Sequence, residues 1–61
     1  MLYDRIKARC SEMGLTVAEV ERRAGLSNGS ISKWGKSMPQ ADRLNAVAKV
    51  LKTTVDKLLK D

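Results

Sequence analysis

The segment Leu26–Trp34, with the sequence LSNGSISKW, limits most narrowly how this chain can fold. Ile31 and Trp34 are three positions apart, which places both side chains on one side of a helix. Ser27 belongs to the residue types that cap helix N-termini, because its side-chain oxygen can accept a backbone N–H of the first turn. The segment therefore predicts a short helix over about residues 27–35, anchored to a core through its apolar side.

Two further helices precede this segment. Leu2–Met13 carries apolar residues at helical spacing, and Gly14 can end that helix in a left-handed conformation. Thr16 and Glu19 form a capping-box pattern that starts a second helix, which Gly25 closes. The second helix has only about two turns, so it depends on its neighbours for stability.

Two helices are predicted after the segment. Pro39 suits the first turn of a helix that runs from about Gln40 to Leu51, and Thr54 suits the cap of a final helix. The core stripe of the fourth helix is Leu44, Val47, Ala48 and Leu51. The chain thus predicts an all-α, compact five-helix fold, organised as a single domain over residues 1–61.

Composition excludes several classes of protein. One cysteine and no histidine rule out an internal disulfide and a zinc-finger ligand set. Cys10 is predicted to be a small buried residue, since no histidine exists to activate it. With no Gly-rich phosphate loop and no plausible carboxylate pair, we expect no enzymatic activity, no metal, no cofactor and no small-molecule substrate. The apolar residues are scattered, so we expect a cytoplasmic protein with no membrane span.

Charge points to a polyanionic partner. The net charge is +5, and the window from Arg22 to Ala41 contains four basic residues and no acidic one. The usual partner of a small basic domain is nucleic acid, and less often it is an anionic membrane surface. The outer side of the predicted third helix is small, polar and free of acids, which suits the major groove of DNA. Its residues are Asn28, Gly29, Ser30, Ser32 and Lys33.

Several motifs in register resemble the Cro/C1-type helix-turn-helix domains of phage repressors and related bacterial regulators, the XRE family. They are Gly14-Leu15-Thr16 opening a short helix, Ala24-Gly25-Leu26-Ser27 as the turn, and Ile31-Ser32-Lys33-Trp34 ending the next helix. Residues 51–59 resemble the closing segment of that family. The likeness spans essentially the whole chain. It implies a lambda-repressor-like fold whose third helix enters the major groove in a bacterial host cell, at the nucleoid.

The resemblance also implies which residues meet DNA. Base contacts are implied for Asn28, Gly29, Ser32 and Lys33, and base or phosphate contacts for Ser27 and Ser30. Phosphate contacts are implied for Thr16, Val17, Lys36, Ser37, Gln40 and Arg43. The family usually binds as a dimer to two half-sites about one helical turn apart. We therefore expect a homodimer on a palindromic double-stranded operator.

Five positions depart from the family pattern. Cys10 and Gly35 replace an Arg–Glu pair found in many members, so both charged partners are missing together and no buried charge is left unpaired. The other three are Val17, Glu21 and Lys52. Many members have Gln where this chain has Val17, so that phosphate contact is lost or is replaced by the Thr16 hydroxyl and backbone amides. A small residue usually stands at the position of Glu21, which predicts a charge at the edge of the second helix. Lys52 stands where Gly often ends the fourth helix. A left-handed backbone there would cost roughly 1 kcal/mol.

Some alternatives stay open at this point. Lys33 suits a phosphate as well as a guanine, and Gly29 fits either close approach to DNA or simple tolerance near a helix start. Trp34 is predicted to belong to the core. The chain fits a complete Cro-like protein or the N-terminal domain of a longer repressor. Two functions remain: a sequence-specific transcriptional repressor or regulator, and a protein-interaction module on the same fold, such as an antirepressor or antitoxin.

Overall fold

The computed structural model describes residues 2–59, which form four α-helices and one 3₁₀ helix. Within this range there is no strand, so the all-α class is confirmed. The prediction of five α-helices is wrong at the third, which is a 3₁₀ helix. In chain order the elements are α1 (Leu2–Glu12), α2 (Val17–Arg23), the 3₁₀ helix (Ile31–Gly35), α3 (Ala41–Val50) and α4 (Val55–Leu59).

Every element contributes to a single aliphatic core. The first helix packs against the 3₁₀ helix, α2 and α4, while α3 packs against α2 and α4. Burying one large aliphatic side chain is worth about 1.5–3 kcal/mol, so these contacts hold together helices that are individually too short to be stable. The predicted core stripes are confirmed, and the buried apolar residues are Ile6, Cys10, Val20, Ile31, Trp34, Leu44, Val47, Ala48, Leu51 and Leu58.

Two helix starts follow the predicted capping chemistry. The Thr16 hydroxyl accepts the Glu19 N–H at 3.1 Å, and the Glu19 carboxylate accepts the Thr16 N–H at 3.4 Å. This capping box begins α2. The Thr54 hydroxyl likewise accepts the N–H of Lys57 at 3.2 Å at the start of α4. The fourth predicted helix begins one residue late, because Gln40 is its N-cap and Pro39 lies before the cap.

The 27–35 segment differs most from its prediction, and Glu21 is the cause. The carboxylate of Glu21 is buried, with 3% of the residue exposed. It accepts the N–H of Gly29 at 3.0 Å through Oε1 and the N–H of Ile31 at 2.8 Å through Oε2. The prediction that Glu21 places a charge at the edge of its helix is therefore wrong. Its side chain lies inside the domain and binds the backbone of the next element.

Gly29 explains why no α-helix begins at Ser27. Its φ angle is +87°, a left-handed conformation that an α-helix cannot contain. Residues 28–30 consequently form a turn, and helical hydrogen bonding begins only at Ile31. The predicted recognition helix over about residues 27–35 is thus shortened to Ile31–Gly35. The predicted side-chain cap at Ser27 is replaced by the Glu21 carboxylate, and the Ser30 N–H donates to the Ser27 backbone carbonyl at 3.1 Å.

The C-terminus of α3 is tied to α1. Arg9 of α1 donates from Nε to the carbonyl of Leu51 at 3.0 Å. Past the cap, Lys52 has a φ of 54°, and the N–H of Thr53 returns to the carbonyl of Ala48 at 2.9 Å. This is the Schellman ending, in which Gly is the usual left-handed residue. The left-handed backbone considered for Lys52 is therefore present in the structure.

We predict that Lys52→Gly stabilises the protein. Glycine adopts a positive φ without the steric clash of a Cβ atom, so the free energy of unfolding should rise by about 1 kcal/mol. For a domain of this size that corresponds to roughly 4–8 °C in the melting temperature. Thermal and denaturant unfolding followed by circular dichroism would measure it. The matched control is Lys49→Gly within α3, where glycine should destabilise by about 1 kcal/mol. A loss of stability in Lys52→Gly would contradict the prediction.

Candidate nucleic-acid interface

The 27–35 segment has an inner apolar side and an outer polar side. Ile31 is fully buried and Trp34 is 8% exposed, so the prediction that Trp34 belongs to the core is confirmed. The outer side consists of short polar side chains and one lysine, none of which is acidic. Its exposed members are Ser27, Asn28, Ser32 and Lys33. Such a side can approach a base edge closely, and its hydroxyl, amide and ammonium groups match the chemistry of base edges and phosphates.

An open groove of about 280 Å³ runs between the 3₁₀ helix and the start of α3. We call it the α3 groove. It brings together five of the residues for which DNA contacts were predicted: Ser30, Lys33, Ser37, Gln40 and Arg43. All of them except the half-buried Ser30 are exposed. Residues of the 3₁₀ helix, of α3 and of the segments beside them thus form one polar and basic surface, with an apolar edge at the exposed Met38.

A second open groove, of about 440 Å³, lies between α2 and the turn that follows it. We call it the α2 groove. Its lining includes Asn28, which was predicted to contact bases, together with Ala18, Arg22 and Leu26. Arg22 is exposed and was not among the predicted contact residues. Its position inside the acid-free window was the sequence signal that could have identified it.

Six predicted contact residues lie outside both grooves. Three of them belong to the 27–35 segment (Ser27, Gly29 and Ser32), and the other three lie at the ends of their elements. The Thr16 hydroxyl already accepts the Glu19 N–H in the capping box, and Val17 is half-buried against the core. Lys36 is exposed directly after the 3₁₀ helix, next to Ser37 of the α3 groove. The structure therefore groups the predicted contact residues of the 28–30 turn and of the link between the 3₁₀ helix and α3 more closely than those at the start of α2.

Hydrogen bonds within the turn restrict what its residues can offer a ligand. The N–H of Gly29 donates to Glu21, and the carbonyl of Gly29 accepts the Ser32 hydroxyl at 2.7 Å. The Ser32 oxygen keeps its lone pairs and can still accept a hydrogen bond. Asn28 is exposed beside this turn, and its amide can both donate and accept. Direct readout in this segment would thus fall mainly to the side chains of Asn28 and Lys33.

Glu21 is the contributor that sequence reasoning missed. It directly follows the buried Val20 and lies three positions before Ala24, which packs against the core. A carboxylate on that inner side of α2 has to find N–H partners, because burying an unpaired charge is strongly unfavourable. The signal was therefore a charged residue at an inward-facing position, followed by a glycine able to turn its backbone toward it.

The charges on this surface are predominantly positive. Lys33, Lys36 and Arg43 are exposed, and Asp42 accepts the N–H of Arg43 at 2.9 Å through its own side chain. Glu21 is the acidic residue described in the lining of the two grooves, and both of its carboxylate oxygens already accept backbone N–H groups. A surface of this kind attracts a polyanion.

Other site chemistries find little support in the described part of the chain. Cys10 is buried, and the loss of solvation raises the pKa of its thiol, which disfavours the reactive thiolate. Residues 2–59 contain no group of three or more His, Cys, Asp or Glu side chains placed to hold a metal ion. None of the helices in this range has the length and apolar character needed to cross a bilayer.

Comparison with known proteins identifies the family. A family model described as helix-turn-helix matches residues 6–58, which include all five helical elements in whole or in large part. Neither the curated proteins nor the solved structures include a significant match. The family is a DNA-binding one. The chain therefore belongs to the Cro/C1-type helix-turn-helix family.

Proposed function

We propose that this protein is a sequence-specific double-stranded DNA-binding regulator of phage or bacterial type that acts as a transcriptional repressor. The 27–35 segment enters the major groove, and occupancy of the operator blocks polymerase. The observation that carries the proposal is the surface built from the α3 groove and the turn. Exposed Lys33 and Arg43 lie there beside Ser30, Ser37 and Gln40, and Asn28 stands on the other side of the segment.

Each part of this surface has its own role in the proposal. Asn28, Gly29, Ser32 and Lys33 meet base edges, and Ser27 and Ser30 meet bases or the adjacent phosphates. Thr16, Val17, Lys36, Ser37, Gln40 and Arg43 meet the phosphate backbone, as does Arg22 in the α2 groove. Phosphate contacts set the position of the protein, and base contacts supply the sequence preference.

The proposed binding unit is a homodimer on a palindromic operator. The domain measures 23 × 23 × 17 Å along its principal axes. Half-sites one helical turn apart are separated by about 34–36 Å. One copy is too small to reach both half-sites of such an operator, which supports a binding unit of two copies. Selection of bound sequences from random DNA tests this, since a palindromic consensus is expected and a single unpaired half-site would contradict the dimer.

One observation favours a second candidate, a protein-interaction module. Met38 is 65% exposed in the α3 groove, next to the buried Trp34 and the half-buried Pro39. An antirepressor or antitoxin could bury this apolar edge against a protein partner. Salt dependence separates the two candidates, because phosphate binding weakens steeply as salt rises and an apolar protein interface does not.

We predict that Asn28→Ala lowers operator affinity by about 1–3 kcal/mol and leaves non-specific DNA binding nearly unchanged. The reason is that its amide can pair with a base edge, and only the operator presents the matching base. Titration of labelled operator and of a scrambled duplex would measure both affinities. Ser11→Ala, at an exposed position in α1, is the matched control. Equal losses on both duplexes would remove Asn28 from the residues that read bases.

We predict that Lys36→Ala and Arg43→Ala each weaken binding to every sequence. Each removes one phosphate contact, so the slope of log affinity against log salt should become shallower by about one unit. Binding measured across a salt series would provide the slopes. Lys49→Ala, an exposed lysine in the last turn of α3, serves as the charge-matched control. Unchanged slopes in Lys36→Ala and Arg43→Ala would mean that these side chains do not meet phosphate.

A further inference from the structure

We propose that Glu21 is a positioning residue that sets which DNA sequence the 27–35 segment reads. It touches no base itself, because its side chain is buried and both of its oxygens accept backbone N–H groups. It acts by holding the turn at residues 28–30 in one shape. This inference rests on the proposed function, since it concerns the sequence preference of the same surface.

The contacts around the turn leave its backbone little freedom. The N–H groups of Gly29 and Ile31 donate to the two different oxygens of Glu21, at 3.0 and 2.8 Å. Between them, the N–H of Ser30 donates to the Ser27 carbonyl at 3.1 Å. Three consecutive N–H groups are therefore fixed by partners inside the domain. A carboxylate is suited to this arrangement because both of its oxygens accept hydrogen bonds.

Gly29 is the second component of the arrangement. Its φ is +87°, its N–H donates to Glu21, and a Cβ atom built there would meet no atom within 4 Å. A Gly29→Ala substitution is thus opposed by backbone conformation and not by crowding in the free protein. Without the carboxylate, the local preference of the sequence is a helix capped at Ser27, as its residue types predict. The carboxylate and the left-handed glycine together select the observed turn over that helix.

The shape of the turn decides where the base-reading side chains lie. Asn28 directly precedes Gly29, and the hydroxyl of Ser32 is tied to the Gly29 carbonyl. A change at Gly29 therefore moves Asn28 relative to Ser32 and Lys33. Base discrimination depends on hydrogen bonds with narrow geometry, so a displaced Asn28 loses its preference for one base while phosphate contacts at the link persist.

The test compares wild type with Glu21→Gln, Gly29→Ala and the double variant. Glu21→Gln keeps the size of the side chain but sets an NH₂ group against one of the two backbone N–H groups. We expect the ratio of operator to scrambled-duplex affinity to fall about tenfold in each single variant. We expect no further fall in the double variant, because both changes release the same turn. Amide hydrogen exchange should also become faster at Gly29 or Ile31 in Glu21→Gln.

Ile6→Val is the control for a general loss of stability, because Ile6 is fully buried in the core and far in sequence from the turn. Ile6→Val should leave the ratio of operator to scrambled-duplex affinity as in wild type. It should also leave the exchange rates of the Gly29 and Ile31 amides, relative to those of the other core amides, as in wild type. If Glu21→Gln does not fold, Gly29→Ala alone must show the loss of ratio. A Gly29→Ala protein with an unchanged ratio would then overturn the inference.

The outcome in wild type distinguishes a failure of the inference from a failure of the proposed function. If wild type prefers no sequence, the proposed function fails and the inference fails with it. If wild type does prefer an operator, the inference alone is overturned in either of two cases. The first is that Glu21→Gln keeps the wild-type ratio, and the second is that the losses of the two single variants add in the double variant.

Discussion

The hydrogen bonds of the Glu21 carboxylate determine the form of the outward-facing part of this domain. Each bond of a backbone N–H to a charged oxygen is worth about 1.5–3 kcal/mol, and without them the buried charge would destabilise the fold. Glu21 belongs to α2, whereas its partners are Gly29 in the turn and Ile31, the first residue of the 3₁₀ helix. Neither α2 nor the 3₁₀ helix has the length to be stable alone. The carboxylate joins them, so that the tight turn and the exposed polar side behave as one unit.

Most of the fold could be predicted from the sequence, because its signals were local. The capping box at Thr16, the apolar stripe of α3 and the cap at Thr54 each depend on residues within one or two turns. The third helix could not be predicted correctly for the opposite reason. Its starting point depends on Glu21, eight and ten positions before its partners, and a Ser–Asn–Gly–Ser run is locally compatible with a capped α-helix. The role of Arg9 was missed for the same reason, since its partner Leu51 is 42 positions away.

The candidate site was predicted in part. An acid-free stretch with small polar residues indicated a surface for DNA, and the structure brings Ser30, Lys33 and Arg43 into one groove. Which hydroxyls and amides already have partners could not be predicted, because that depends on the turn. Gly29 is the clearest example. Its residue type fitted either a close approach to DNA or tolerance at a helix start. Its φ of +87° excludes the helix start, and the approach to DNA stays a prediction.

The bond between Arg9 and the carbonyl of Leu51 has a consequence for how the chain assembles during synthesis. Ribosomes add about 5–20 residues per second, so Leu51, 42 positions after Arg9, is made roughly 2–8 s later. By then α2 and the 3₁₀ helix, on which α1 also packs, have already been made, whereas α4 has not. A helix of 11 residues is marginal in isolation. Packing on those earlier elements therefore stabilises α1 first, and the bond from Arg9 to Leu51 and the contacts with α4 are the last that α1 gains.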